Sequence, residues 1–572
     1  MRQAKVKSMK KEVCNMKLTG AEIVVECLQK EGVKVVFGIP GGTVMPLYDA
    51  IHRKASFKNI LTKHEQGAIH AADGYARVTG KVGVCIATSG PGATNLVTGL
   101  ANAHLDSIPL VAFTGQVPTG LIGTDGFQEV DISGISIPIT KNNYIVRDIN
   151  DLATVIKEAF HIARTGRPGP VLIDLPKDVQ VAMTDFEYPK KEKFLGYQPS
   201  VKGNEKQIKN AAIEIGKAKK PIIYTGGGII SANASAELKE LAFKANIPVT
   251  TTLMGLGSFP ENHPLSLGML GMHGTFYANS AISDADLIIA LGTRFDDRVT
   301  GKLSEFCLQA KIIHIDIDPA EIGKNVLVDI PIVGDVKKIL QKLNEHVSDK
   351  AEKEWLSTIQ ELKRKYPLRY EKNDDLKPQY IMERIYELTN GEAIIVTSVG
   401  QHQMWAAQYY QYTQPRTFIT SGGLGTMGFG LPAAIGAKVG KPKKNVVCIS
   451  GDGSFQMNIQ EIATALKENL AVTLVLMNNG YLGMVRQWQE LFFDRRYAKT
   501  TLNGNPDFVK LVEAYGGTGI RVINKQELDP ALEKAFSLNH FTLIDCIIPK
   551  EENVYPMVAP GSPITKMLGV DE

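Results

Sequence analysis

The stretch NVVCISGDGSFQMNIQEIATALKENLAVTLVLMNNGY, residues 445–481, decides the fold. It opens on a β-branched apolar run and turns through Gly451, Asp452 and Gly453. A segment of helical composition follows, and a second apolar run ends at Asn478 and Asn479. Short apolar runs bounded by turn residues read as strands buried on both faces. A strand, a helix and a second strand joined in this way make a right-handed crossover, so the two strands are parallel and finish on the same sheet edge. That geometry delivers Asp452 and Asn479 side by side. One carboxylate and one amide oxygen are hard ligands suited to Mg2+, an ion that completes its octahedron with phosphate oxygens and water. The glycines admit a phosphate close to the backbone, and the helix N-terminus adds a favourable dipole. Gly451, Asp452 and Gly453 alone also fit an ordinary capped turn; the second half of the unit gives the stretch its meaning.

Outward from this unit, the chain of 572 residues repeats the same alternation of apolar runs and amphipathic segments. In the first third the runs are VKVVFGIP (33–40), VGVCIATS (82–89), PLVAFTG (109–115) and VLIDLP (171–176). A second block holds PIIYTGGG (221–228), DLIIALG (286–292) and KIIHIDID (311–318), and a third holds EAIIVTS (392–398), residues 445–481 and FTLIDCII (541–548). The fold class is therefore α/β, with three doubly wound parallel-sheet domains. The expected divisions are a disordered tail at 1–17, domains at 18–187, 204–347 and 377–572, a charged linker at 188–203, and a linker helix at 348–376. The first and third domains are candidates for related folds, although no repeat is visible residue by residue. Ligands bind at the carboxyl ends of parallel strands. Gly-rich turns fall at such ends at 38–42, 88–95, 224–228, 421–428 and 450–455. The turn YTGGG does not match GxGxxG, so it supports no dinucleotide claim by itself.

Composition narrows the classes. Apolar residues make up 44% and charged residues 22%, the balance of a folded globular chain, and the net charge of +4 is spread along the length. A weak, diffuse charge argues against nucleic acid or a membrane surface as partner. No apolar run reaches the length of a membrane span, and the basic N-terminus lacks the apolar core of a secretory signal. The six cysteines form no CxxC pair and two lie in strand-like runs, which fits buried thiols in a reducing, cytoplasmic setting. Glu65, in KHEQGAIHAADGYARVTG (63–80), stands in the first turn of a helix, where the dipole alone favours an acid.

Several stretches carry a resemblance. The unit at 445–481 is similar to the cofactor fingerprint of thiamine-diphosphate enzymes, and the context of Glu65 resembles their pyrimidine-binding domain. FGIPGGTVMPLYDA (37–50), GQVPTGLIGTDGFQEVDI (115–132), GRPGPVLIDLPKDV (166–179), GTRFDDRVTGK (292–302), VGQHQMWAAQ (399–408) and GMVRQWQELFF (483–493) resemble the catalytic subunits of the acetolactate synthase (acetohydroxyacid synthase) family. TSGPGATN (88–95) and LGMHGT (270–275) do so too, and the likeness runs from about residue 18 to 567. Two small departures are Thr43, where the family often has Ala, and Gly453, where some members have Ala or Ser.

The resemblance implies the following roles. Asp452, Asn479 and the Tyr481 carbonyl ligate Mg2+. Gln401 and His402 hold the diphosphate, with Gly400, Gly451, Gly453 and Ser454 beside them. The Gly425 carbonyl accepts from the pyrimidine amine, and Val399 and Met427 flank the cofactor. Glu65 bonds the pyrimidine nitrogen. Gln128 and the backbone near Gly42 lie by the reacting carbon, and Lys177 lines the approach. Arg298 takes the acceptor carboxylate, or else pairs with Asp296 or Asp297. Trp488 packs on the acceptor side chain, or else is a core residue. The middle domain is similar to an FAD-binding domain, with contacts from Arg167, His273, Arg294, Asp316 and Asp335. The implied reaction decarboxylates pyruvate and joins the two-carbon unit to a second 2-oxo acid, pyruvate or 2-oxobutanoate. It gives 2-acetolactate or 2-aceto-2-hydroxybutanoate, intermediates of branched-chain amino-acid synthesis. The family further implies a homodimer or homotetramer in which Glu65 of one chain meets Asp452 of another, and a small regulatory subunit. Rival readings are a pyruvate-oxidase type of flavoenzyme and a catalytically silent relative; Glu65, Asp452 and Asn479 are all present, which argues against the silent one.

Overall fold

A computed structural model describes residues 17–190, 196–349 and 353–570. The tail expected at 1–17 lies outside these residues except for Lys17, which opens the strand Lys17–Thr19. Parts of both expected linkers, 191–195 and 350–352, lie outside them as well. The rest of the second linker contains the helix Lys353–Lys365.

Three six-stranded sheets form the frame, and every neighbouring pair of strands in them is parallel. Counting each sheet's strands in chain order, the first and third sheets share one order, 2-1-3-4-6-5. The middle sheet has the order 3-2-1-4-5-6, the arrangement in which doubly wound folds bind dinucleotides at the point of reversal. Central strands such as Val446–Gly451 and Val472–Asn478 are buried almost throughout, as apolar runs covered by helices on both faces must be. Each sheet accordingly has a separate apolar cluster on either side.

The domains are joined by close packing. Helix Gly430–Gly440 of the third domain lies on helix Glu65–Thr79 of the first, and the crossing needs Gly74 and Gly436. A Cβ on either glycine would collide with the facing backbone, at Ala433 and Ala71 respectively. The segment after the last sheet strand returns to the middle domain, where Val558 N–H donates to the Met272 carbonyl at 2.8 Å and Ile564 joins the core. Cys27, Cys85, Cys307, Cys448 and Cys546 are buried free thiols. Among the described residues no helix is long and apolar enough to cross a membrane.

Candidate active site

The strands Ile394–Thr397 and Val446–Gly451 are neighbours at the reversal point of the third sheet, and a turn leaves the carboxyl end of each. The next strand, Val472–Asn478, is in register so that Met477 faces Gly451. Asp452 and Asn479 therefore leave the sheet at one edge, as the crossover requires.

Asp452 is 1% exposed. Its Oδ2 accepts from Asn505 Nδ2 at 2.7 Å, whereas Oδ1 is buried with no partner. Burial raises its pKa to about 6, against the Asn505 hydrogen bond and the nearby backbone N–H groups of Asp452, Gly453 and Gly480. Gly480 therefore lies against this carboxylate, and Asn479 is its chain neighbour. The Asn479 amide is oriented from both ends: Nδ2 donates to Gln401 Oε1 at 3.4 Å, and Oδ1 accepts from Tyr481 N–H at 3.0 Å. Gln401 in turn donates to Gln487 Oε1 at 2.9 Å and to the Glu552 carbonyl at 3.1 Å.

The His402 ring lies against the turn, since a Cβ on Gly451 would stand 3.0 Å from its Nδ1. Its Nε2 is buried without a partner, and burial lowers its pKa to about 3, so the ring is neutral at physiological pH. Gly400 has φ +150° and likewise abuts this ring. Gly453 is roofed by Leu482 and Leu502, which a Cβ would meet at 2.8 and 3.1 Å. Ser454 Oγ contacts Ser398 Oγ and accepts from Gly428 N–H at 3.0 Å, tying the turn to the loop that carries Gly425 and Met427. Gly425 has φ +71°, a left-handed conformation that favours glycine, and Val399 stands beside it.

A cavity of about 1040 Å³ runs from this region into the middle domain. Val399, Gly400, Gly425, Met427 and Trp488 of the third domain line it, together with Arg167 of the first domain and His273, Arg294, Arg298, Asp316 and Asp335 of the middle one. Its middle-domain wall includes the glycine turns where the middle sheet reverses. There the glycine turn after Pro221–Thr225 touches the turn after Leu287–Leu291: a Cβ on Gly228 would lie 2.6 Å from Gly292 Cα. Asp316 accepts from Asp318 N–H at 2.8 Å, and burial raises its pKa to about 6. Arg167 bonds Ser107 Oγ of its own domain at 2.8 Å and reaches across to Asp318 at 3.2 Å and Glu321 at 2.7 Å in the middle domain. His273 Nδ1 is buried and unpartnered, with a pKa lowered to about 4 by burial. Asp335 caps helix Val336–His346, and Arg294 stands 3.9 Å from Asp296. Arg298 lies 3.7 Å from Asp297, the pairing that its sequence context left open, and still lines the cavity. The indole N–H of Trp488 has no partner.

Glu65 belongs to another edge, the reversal point of the first sheet. His64 caps its helix, and Glu65 Oε2 accepts from Asn95 Nδ2 at 2.9 Å. Gln128 has φ +58° and packs against Gly90. Gly42 is exposed, and its neighbour Thr43 bonds Thr88 Oγ1 and Ser89 N–H at 3.0 and 3.1 Å. Lys177 is exposed at the start of helix Lys177–Val181. None of Glu65, Gln128, Gly42 and Lys177 lines the large cavity of the same chain. Phe127, beside Gln128, is 90% exposed. Sequence reading gave no role to Asn505, Asn95, Ser398 or Gln487. Asn95 sits within a quoted motif, while Asn505 lies in GNPD beyond any recognisable pattern.

Three descriptions of thiamine pyrophosphate enzymes match the chain: the N-terminal TPP binding domain over residues 18–135, the central domain over 208–343, and the C-terminal TPP binding domain over 398–546. The acetolactate synthase of Mycobacterium bovis is 51% identical over 563 residues, spanning 96% of this chain and 91% of that protein. The acetolactate synthase large subunit of Corynebacterium glutamicum is 51% identical over 571 residues, 98% and 91% of the two chains. The acetolactate synthase isozyme 3 large subunit of Escherichia coli is 47% identical over 563 residues, 96% and 98% of the two. With about half of all positions shared from end to end and all three domains accounted for, the chain belongs to the acetolactate synthase large-subunit family of thiamine pyrophosphate enzymes.

Proposed function

We propose that this chain decarboxylates pyruvate and transfers the two-carbon unit to a second 2-oxo acid, pyruvate or 2-oxobutanoate, using thiamine diphosphate, Mg2+ and bound FAD. The observation that carries the reading is the Asp452 carboxylate, buried at a sheet reversal point with one oxygen unsatisfied. A buried anion in that state calls for a cation. Among the described residues no three His, Cys, Asp or Glu side chains are placed to hold a metal ion, so an ion here draws on amide, carbonyl and phosphate oxygens, the donor set Mg2+ prefers. In this reading Asn479 Oδ1 and the Tyr481 carbonyl complete the protein's share. The unpartnered His402 Nε2, with Gln401, Gly400, Gly451, Gly453 and Ser454, fits a diphosphate.

Thiamine diphosphate, when bound, supplies the electron sink that decarboxylation needs. The residues supply position and proton control. The Gly425 carbonyl, Val399 and Met427 orient the ring system. The Glu65 carboxyl, brought by a second chain, exchanges a proton with the pyrimidine nitrogen. Gln128 and the backbone at Gly42 border the reacting carbon, and Lys177 borders the approach. The Arg298 guanidinium grips the acceptor carboxylate in a planar fork, and Trp488 packs against its side chain. The middle-domain wall of the cavity, with His273 Nδ1 unsatisfied and the 3-2-1-4-5-6 order beneath it, suits FAD held by Arg167, His273, Arg294, Asp316 and Asp335. A homodimer or homotetramer, a small regulatory subunit and a cytoplasmic location complete the proposal. The test is direct: the purified chain should carry flavin absorbance and form acetolactate from pyruvate only with both thiamine diphosphate and Mg2+. Acetate or acetaldehyde as the main product would instead favour an oxidase or simple decarboxylase.

A further inference from the structure

We propose that Asn505 is the positioning residue of the cation site: it clamps one oxygen of Asp452 so that the other is presented to the ion. The inference rests on reading Asp452 as a metal ligand. A carboxylate turns easily about its last torsion, which is broad and roughly two-fold. Here the turn is stopped, because Oδ2 takes the Asn505 amide N–H at 2.7 Å while Oδ1 has no protein partner. The Asn505 amide is itself set the right way round. Gln456 Nε2 donates to Asn505 Oδ1 at 2.9 Å and to the Asp452 carbonyl at 3.0 Å, so the N–H side of Asn505 must face the carboxylate.

The same segment braces the opposite arm. Leu482 N–H donates to the Thr500 carbonyl and Leu502 N–H to the Gly480 carbonyl, both at 2.8 Å, which fixes the backbone on either side of Tyr481. Leu502 also roofs Gly453. Residues 500–505 thus form a strap across both halves of the clamp, though they lie outside the 445–481 unit that supplies its ligands. A neutral amide suits this duty, since it orients the single carboxylate without adding a second negative charge. Groups that orient metal ligands typically change metal affinity 10–100-fold when removed.

The experiment uses the full chain with flavin and thiamine diphosphate bound, and measures Mn2+ affinity by electron paramagnetic resonance. Asn505→Ala should weaken Mn2+ binding at least about tenfold. Gln456→Ala, which frees the amide to flip, should weaken it by a smaller factor. Flavin content and unfolding midpoint should stay at the wild-type values, which separates positioning from general structure. Wild-type Mn2+ affinity in both variants, with binding abolished by Asp452→Asn, would overturn the strap and leave Asp452 as a ligand. Wild-type affinity in Asp452→Asn would overturn the ligand reading and the strap together.

Discussion

At the residue scale, the candidate site holds polar atoms left without protein partners. Asp452 Oδ1, His402 Nε2 and the indole N–H of Trp488 are buried polar atoms with no protein hydrogen bond, and buried polar groups are rarely left so. Spacing singled out Asp452 for the cation, and the family resemblance singled out His402 for the diphosphate. Glu65 differs: its carboxylate already accepts from Asn95, and the substitution Glu65→Gln preserves that acceptor. We expect Glu65→Gln to lower turnover by well over tenfold, the scale of a lost proton-transfer group, with Mn2+ affinity unchanged. Steady-state kinetics beside Mn2+ titration checks this, and near-normal turnover would reject its role. Asp452 and Asn479 were legible because a crossover fixes where strand ends meet. Asn505 was not, because a return from a loop has no period and no spacing to read.

At the element scale, junctions between domains hold loops of the candidate site in place. Arg77, buried on helix Glu65–Thr79, pairs with Asp73 and with Asp106 at 2.8 Å, and Asp106 accepts from Gly422 N–H and Gly423 N–H at 3.1 and 2.7 Å. The loop bearing Gly425 and Met427 is thereby tied to the first domain of its own chain. A second junction joins Glu261 to Tyr412, whose N–H donates to the carboxylate at 2.7 Å. Burial raises the half-buried Glu261 to about 8, against that hydrogen bond. In the unfolded chain a glutamate titrates near 4.3, so between about 4 and 8 the folded state binds the extra proton. Stability from this group is therefore present at acid pH and falls as pH rises through that window. Glu261→Gln keeps an acceptor for Tyr412 and removes the charge. Its unfolding temperature should match wild type near pH 4 and exceed it at pH 9. Thermal melts across that range decide, and parallel pH profiles would count against the assignment.

For the whole molecule, three α/β domains could be read from alternating apolar runs, but the strand orders could not. Order depends on which side of the first strand each later strand packs, and apolar runs carry no such mark. The order 3-2-1-4-5-6 in the middle sheet and the shared 2-1-3-4-6-5 in the other two emerge only in three dimensions. The shared order gives the first and third sheets one topology, which no repeat in the sequence reveals. The return of residues near Ile564 to the middle domain was equally unreadable, since its apolar contacts are few and scattered. The proposed activity turns on a divalent ion at the carboxyl edge of the third sheet. A crystal grown with thiamine diphosphate and Mn2+ tests this through the anomalous signal of the metal. The peak should lie about 2.1 Å from Asp452 Oδ1, Asn479 Oδ1 and the Tyr481 carbonyl, the distance expected for Mg2+ coordination. A thiamine diphosphate bound with its metal peak elsewhere, or with none between these three oxygens, would contradict the account.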